Sequence, residues 1–96
     1  MKLHLTLKKK WFDMISSGEK KEEYREIKPY WTKRLLDSSG TPKPFTEVVF
    51  KNGYSKDAPS IKVECLGIQQ DLGMLTWGAE PDTEYYIIQL GRTINN

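Results

Sequence analysis

The chain has 96 residues, which is room for one domain and one core. Its charged fraction of 29%, its hydrophobic fraction of 38% and its three Trp, five Tyr and three Phe exclude a disordered polar segment. Cys65 is the only cysteine, which excludes an internal disulfide, and no apolar run reaches the roughly 20 residues of a membrane-spanning helix. The net charge of +2 is unevenly spread: residues 8–34 hold nine basic and five acidic side chains, and the rest hold six and eight. A polyanion would therefore meet the N-terminal third.

Leu3, Leu5 and Leu7 alternate with His4, Thr6 and Lys8, the period of a half-buried strand. Lys8, Lys9 and Lys10 interrupt that apolar stretch, so it does not read as a signal-peptide core, and the cytoplasm is the expected location. Leu7, Trp11, Met14 and Ile15 then fall at helical spacing, which predicts a helix over Lys9 to Ser17 closed by Gly18. Lys20 to Ile27 is charged and extended in character. Pro29 opens a second predicted helix through Leu36, and Ser38 to Pro44 is a loop by composition.

The second half reads as β structure. Thr46 to Lys51 is a predicted strand ended by the Asn52-Gly53 turn signal, and Tyr54 to Ser60 is a loop. Ile61, Val63 and Cys65 alternate in the next strand, with Gly67 marking a bulge or bend. Leu72 to Asp82 is irregular with room for a short helical turn, Tyr85 to Leu90 is a buried strand, and Arg92 to Asn96 reads as a frayed tail. The order β-α-β-α followed by three strands predicts an α/β (α+β) domain, a closed or nearly closed barrel with two short flanking helices.

The segment Gly18-x-Lys20-x-x-Glu23-x-Arg25 follows the first helix. Glu23 and Arg25 are two apart, so in a strand they share one face. Lys20 would face the other way, and joins them only through a bulge or an irregular exit after Gly18. One carboxylate and two cations gathered at a barrel mouth suit a polar, partly anionic ligand. By composition alone the same run is a solvated edge strand whose charges block edge-to-edge pairing.

The spacing G-x-K-x-x-E-x-R resembles the signature of the ASCH domain, a relative of the PUA domains of RNA-modifying proteins. The likeness extends to Leu5–Trp11, to Trp31 with Arg34, to the turn Asn52-Gly53-Tyr54-Ser55-Lys56 and to the closing Tyr86–Gly91, nearly the whole chain. It implies a PUA-like barrel that recognises RNA or a nucleotide beside the motif. Lys20 and Arg25 would then contact phosphate or base edges, and Glu23 would organise them. Read from the residues themselves, Tyr24, Tyr30, Trp31, Tyr54 and Trp77 could stack on bases, with Trp31 and Tyr54 the better placed, and Tyr54 and Lys56 beside the turn form either the opposite wall of a cleft or a plain surface loop. One ASCH branch is similar to amidohydrolases acting on N4-acetylcytidine with a Lys, a Thr and a Glu. The Lys falls on Lys20, but Glu23 stands where the Thr would be and has no hydroxyl to attack an amide carbonyl; for the downstream Glu, Glu64 is a guess. Lys20 and Glu23 are also the acid and base that a ribonuclease would need.

A third reading is a protein-interaction module using the charged strand as its edge. His4, the only histidine, reads as an ordinary strand residue, which leaves no His-based triad or metal site. Neither a metal nor an organic cofactor is implied. Trp11 and Trp77 read as core residues and Cys65 as a buried thiol. Gly67–Gly73 lacks the Lys and Ser/Thr of a phosphate loop.

Overall fold

Alternation in the first strand sets the pattern of the fold: Leu3, Leu5 and Leu7 are buried while His4 between them is exposed. A computed structural model describes residues 1–94. Its strands are β1 (Lys2–Leu7), β2 (Glu22–Glu26), β3 (Glu47–Asn52), β4 (Ser60–Leu72) and β5 (Glu84–Ile94). Helix α1 (Lys9–Ser16) joins β1 to β2, α2 (Pro29–Leu35) follows β2, and a 3-10 turn at Leu75–Trp77 lies between β4 and β5.

The five strands form one sheet in the order β1-β3-β4-β5-β2. β1 runs parallel to β3, with Leu5 opposite Phe50, and the other neighbours are antiparallel. The register of β4 against β5 shifts between Val63 and Cys65 and again between Cys65 and Gly67. Such irregularities bend a strand and increase its twist. Of the expected closed or nearly closed barrel, the structure has a sheet curled into a half-barrel. β1 and β2 are its two edges, and among the described residues no ladder joins them.

The main core lies between the concave face and the helices. It is built from Leu3, Leu5 and Leu7 of β1, Phe12 and Ile15 of α1, Leu35 of α2, and Val48, Phe50, Val63, Tyr86, Ile88 and Leu90 of the sheet. A second cluster of Tyr24, Ala79, Tyr85 and Ile87, with Trp77 packed against it, covers the other face. Tyr85 to Ile88 are therefore all buried, two on each face. Gly73 lets the 3-10 segment sit against Tyr24, since a Cβ there would stand 2.8 Å from that ring.

Some boundaries differ from those expected. β5 continues through Arg92, Thr93 and Ile94 in place of a frayed tail, because Lys62 and Val63 at the start of β4 pair with Ile94 and Thr93. Asn95 and Asn96, the remainder of that expected tail, lie outside the described residues. Cys65 is only half-buried, at the register shift, and burial still pushes its thiol pKa up. No helix of the described residues is long and apolar enough to cross a membrane.

Candidate ligand cleft at the open seam

The exit from α1 positions the motif. Gly18 takes φ +85, a left-handed conformation that closes a helix, and the Lys20 N–H donates back to the Met14 carbonyl at 2.9 Å. This wrap lies ahead of β2, so Lys20 is free of the strand's alternation. Its side chain turns inward, 2% exposed, and donates to Glu23 Oε1. Glu23 is 5% exposed and accepts from Arg25 Nη1 on its other oxygen, Oε2. The three motif side chains converge on one carboxylate with both oxygens occupied by cations.

Aromatic rings complete the box around Lys20, with Nζ 5.2 Å from the centroid of Trp11 and 5.4 Å from that of Tyr24. Burial holds the Lys20 ammonium below the ordinary lysine pKa, while the neighbouring Glu23 acts in the opposite direction. The Tyr24 hydroxyl donates to Glu22 Oε1 at 2.7 Å and accepts the Met74 N–H at 2.9 Å.

Burial first of all raises the Tyr24 phenol above its ordinary value of 10.0, which links it to alkaline stability. In the unfolded chain the phenol ionises from about pH 10, whereas in the fold it stays protonated to higher pH. The stabilisation from this group is therefore complete below pH 10 and is lost as pH climbs from there toward the folded-state value, by up to about 1.4 kcal/mol per unit. Urea midpoints measured from pH 8 to 11 should show the stability gap between wild type and Tyr24→Phe narrowing only above pH 10. A constant gap would contradict this linkage.

A cleft of about 800 Å³ opens between the two sheet edges. Its walls come from β1, the start of α1, Glu23 and Arg25 of β2, Tyr30, Trp31 and Arg34 of α2, and Asn52 to Tyr54 of the β3–β4 turn. Among the described residues, four aromatic rings (Trp11, Tyr30, Trp31 and Tyr54) and four cations (Lys8, Lys9, Arg25 and Arg34) face it, with Glu23 as the one carboxylate in the lining; Lys9 is paired with Asp13 at 2.6 Å. Side chains span the seam where the ladder does not. Arg25 donates to the Tyr24 carbonyl of β2 at 2.8 Å and to the Thr6 carbonyl of β1 at 3.4 Å. Arg34 donates to the His4 carbonyl at 3.4 Å. Both guanidiniums lie against Trp31, at 5.0 and 5.7 Å from its ring centroid.

The expected site residues divide accordingly. Glu23, Arg25, Trp31 and Tyr54 line the cleft; Tyr54 stands on the rim at 92% exposure. Lys20 is behind Glu23 and does not line it, and Lys56 is exposed and outside it. Glu64 is also outside, where it accepts the Arg92 N–H at 2.8 Å. Sequence reasoning had Tyr30 only among the possible stacking rings, missed Arg34, Lys8 and His4 as lining residues, and placed Trp11 in the core although it is half-buried with the cleft against it. The uneven charge of residues 8–34 was the available signal, since Lys8, Lys9, Arg25 and Arg34 all come from that window. Among the described residues, no group of three or more His, Cys, Asp or Glu is placed to hold a metal ion. No family model, no curated protein and no solved structure matches the chain.

Proposed function

We propose that this chain is an ASCH-like domain of the PUA-like type, acting in the cytoplasm, that binds RNA or a nucleotide in the seam between β1 and β2. One observation carries the reading: a cleft walled by four aromatic rings and four cations, whose only carboxylate among the described residues, Glu23, is already neutralised by Lys20 and Arg25. Lys8 and Arg34, the two of these cations with no carboxylate partner among the described residues, suit phosphate, and the rings suit bases, because every base has a face to stack. In this reading Arg25 supplies a planar fork to phosphate or a base edge, and Trp31 and Tyr54 stack. Lys20 acts through Glu23, by holding the carboxylate that aligns Arg25.

The same geometry supports binding over turnover. Glu23 has a cation on each oxygen and is a poor general base, and Lys20 is closed off from the cleft. The test is titration of a fluorescently labelled single-stranded RNA, followed by anisotropy, at salt concentrations from about 50 to 200 mM. Log K is expected to fall linearly with log salt, by about 0.7 for each phosphate contacted. Absent binding, or binding that stays flat as salt rises, would overturn the proposal, and the flat result would favour a protein-interaction module.

A further inference from the structure

The cleft holds a second guanidinium outside the Gly18–Arg25 motif, and its placement relative to the first is set by backbone geometry. The carbonyls of Met1, just before β1, and of Leu7 at its end accept N–H groups on the β3 side, from Thr46 at 2.9 Å and Gly53 at 3.1 Å. Strand alternation then aims the carbonyls of His4 and Thr6 into the open seam, where Arg34 and Arg25 donate to them. The two guanidiniums thus each reach, at 3.4 Å, one of two acceptors that stand two residues apart along one strand, about 6.6 Å. That separation matches successive phosphates along a single nucleic-acid strand.

The two arginines are differently committed. Arg25 shares the Glu23 carboxylate, whereas Arg34 is exposed and has no carboxylate within 4.0 Å among the described residues. Of its five N–H donors, Arg34 spends one, on a carbonyl 3.4 Å away at the outer limit of hydrogen bonding. A phosphate oxygen is the stronger acceptor for the donors that remain. Trp31 lies against both guanidiniums and keeps each over the cleft.

We propose that Arg25 and Arg34 form a two-phosphate site, so that the cleft selects a strand carrying two successive phosphates over a ligand carrying one. The proposal rests on the nucleotide-binding reading above and adds the ligand's minimum length and the residue that measures it.

The experiment compares three adenine ligands by calorimetry: adenosine 5′-monophosphate (one base, one phosphate), ApA (two bases, one phosphate) and pApA (two bases, two phosphates). Wild type is expected to bind pApA about tenfold or more tighter than ApA, the effect of one added charge-assisted contact. Arg34→Ala should abolish the preference itself, so that the variant binds pApA no more than about twofold tighter than it binds ApA. Lys33→Ala removes an equal charge from the same helix, outside the cleft lining, and should leave the preference intact. Equal binding of pApA and ApA would overturn the two-phosphate site while the nucleotide reading stands. So would an equal loss of all three ligands in Arg34→Ala, or a Lys33→Ala variant that weakens pApA as much as Arg34→Ala does. If none of the three ligands binds wild type, both the two-phosphate site and the nucleotide reading fail.

Discussion

Glu23→Ala is expected to destabilise the domain by about 3–5 kcal/mol, the range for removing one partner of a buried ion pair. The carboxylate is 5% exposed and neutralises a lysine that is 2% exposed, so the truncation leaves an ammonium with neither water nor counter-charge. The rings of Trp11 and Tyr24 remain around Lys20, but cation–π contact replaces only about 2 kcal/mol even where it is desolvated. In a chain of this length the loss corresponds to a melting temperature at least about 12 °C lower. Replacing both members, as Lys20→Met with Glu23→Leu, should recover most of the stability, since no buried charge is then left unpaired. Urea unfolding of the single and double variants checks both statements. A single variant within about 1 kcal/mol of wild type would mean that the Lys20–Glu23 pair is solvated, as exposed pairs of that small worth are.

The parts of the fold legible in the sequence are those set by local period. Leu3, Leu5 and Leu7 announce β1, and Pro29 announces α2 at its first position. Glu23 and Arg25 share a face because the strand period is two, and the structure joins them through Glu23 Oε2. Even the convergence of Lys20 was half legible: the sequence requires an irregular exit, and Gly18 at φ +85 supplies it.

What was not legible depends on pairings distant in sequence. β1 lies parallel to β3, some forty-five residues on, as in Leu3 opposite Val48, and nothing in either strand's alternation names its partner. The curl that turns β1 toward β2 comes with the register shifts around Cys65, which a sequence reading sees only as a glycine near a strand centre. The far wall of the cleft follows from that curl, so Arg34 and Lys8 looked like ordinary surface charges. Trp11 misled for a related reason. Its helical spacing marks the buried face of α1, but at the first turn that face runs out over the seam, so the ring packs on the core while lining the cleft.

Under the proposed nucleic-acid-binding function, Trp31→Ala is expected to weaken RNA binding by about 1–3 kcal/mol through lost base stacking, a loss of roughly 5- to 150-fold. The residue has a second duty that separates it from a simple stacking platform. Its ring lies 5.0 Å from the Arg25 guanidinium and 5.7 Å from that of Arg34, and Tyr30 meets it edge-on at 4.9 Å between centroids. Removing the ring therefore also frees two cations that would contact phosphate. Loss of stacking alone leaves the salt dependence unchanged, because no counterion is released by a base. Loss of guanidinium alignment flattens the dependence by about 0.7 in log–log slope for each phosphate contact that disappears. Both effects are expected together in Trp31→Ala. Tyr54→Ala should show only the first, because Tyr54 is 92% exposed and forms no cation–π contact with an arginine among the described residues. Anisotropy titrations of both variants with the same labelled RNA at several salt concentrations distinguish the two duties. Wild-type affinity in Trp31→Ala would remove Trp31 from the site. A reduced affinity with an unchanged slope would leave it a stacking surface and place the control of the two arginines in their carbonyl contacts with β1.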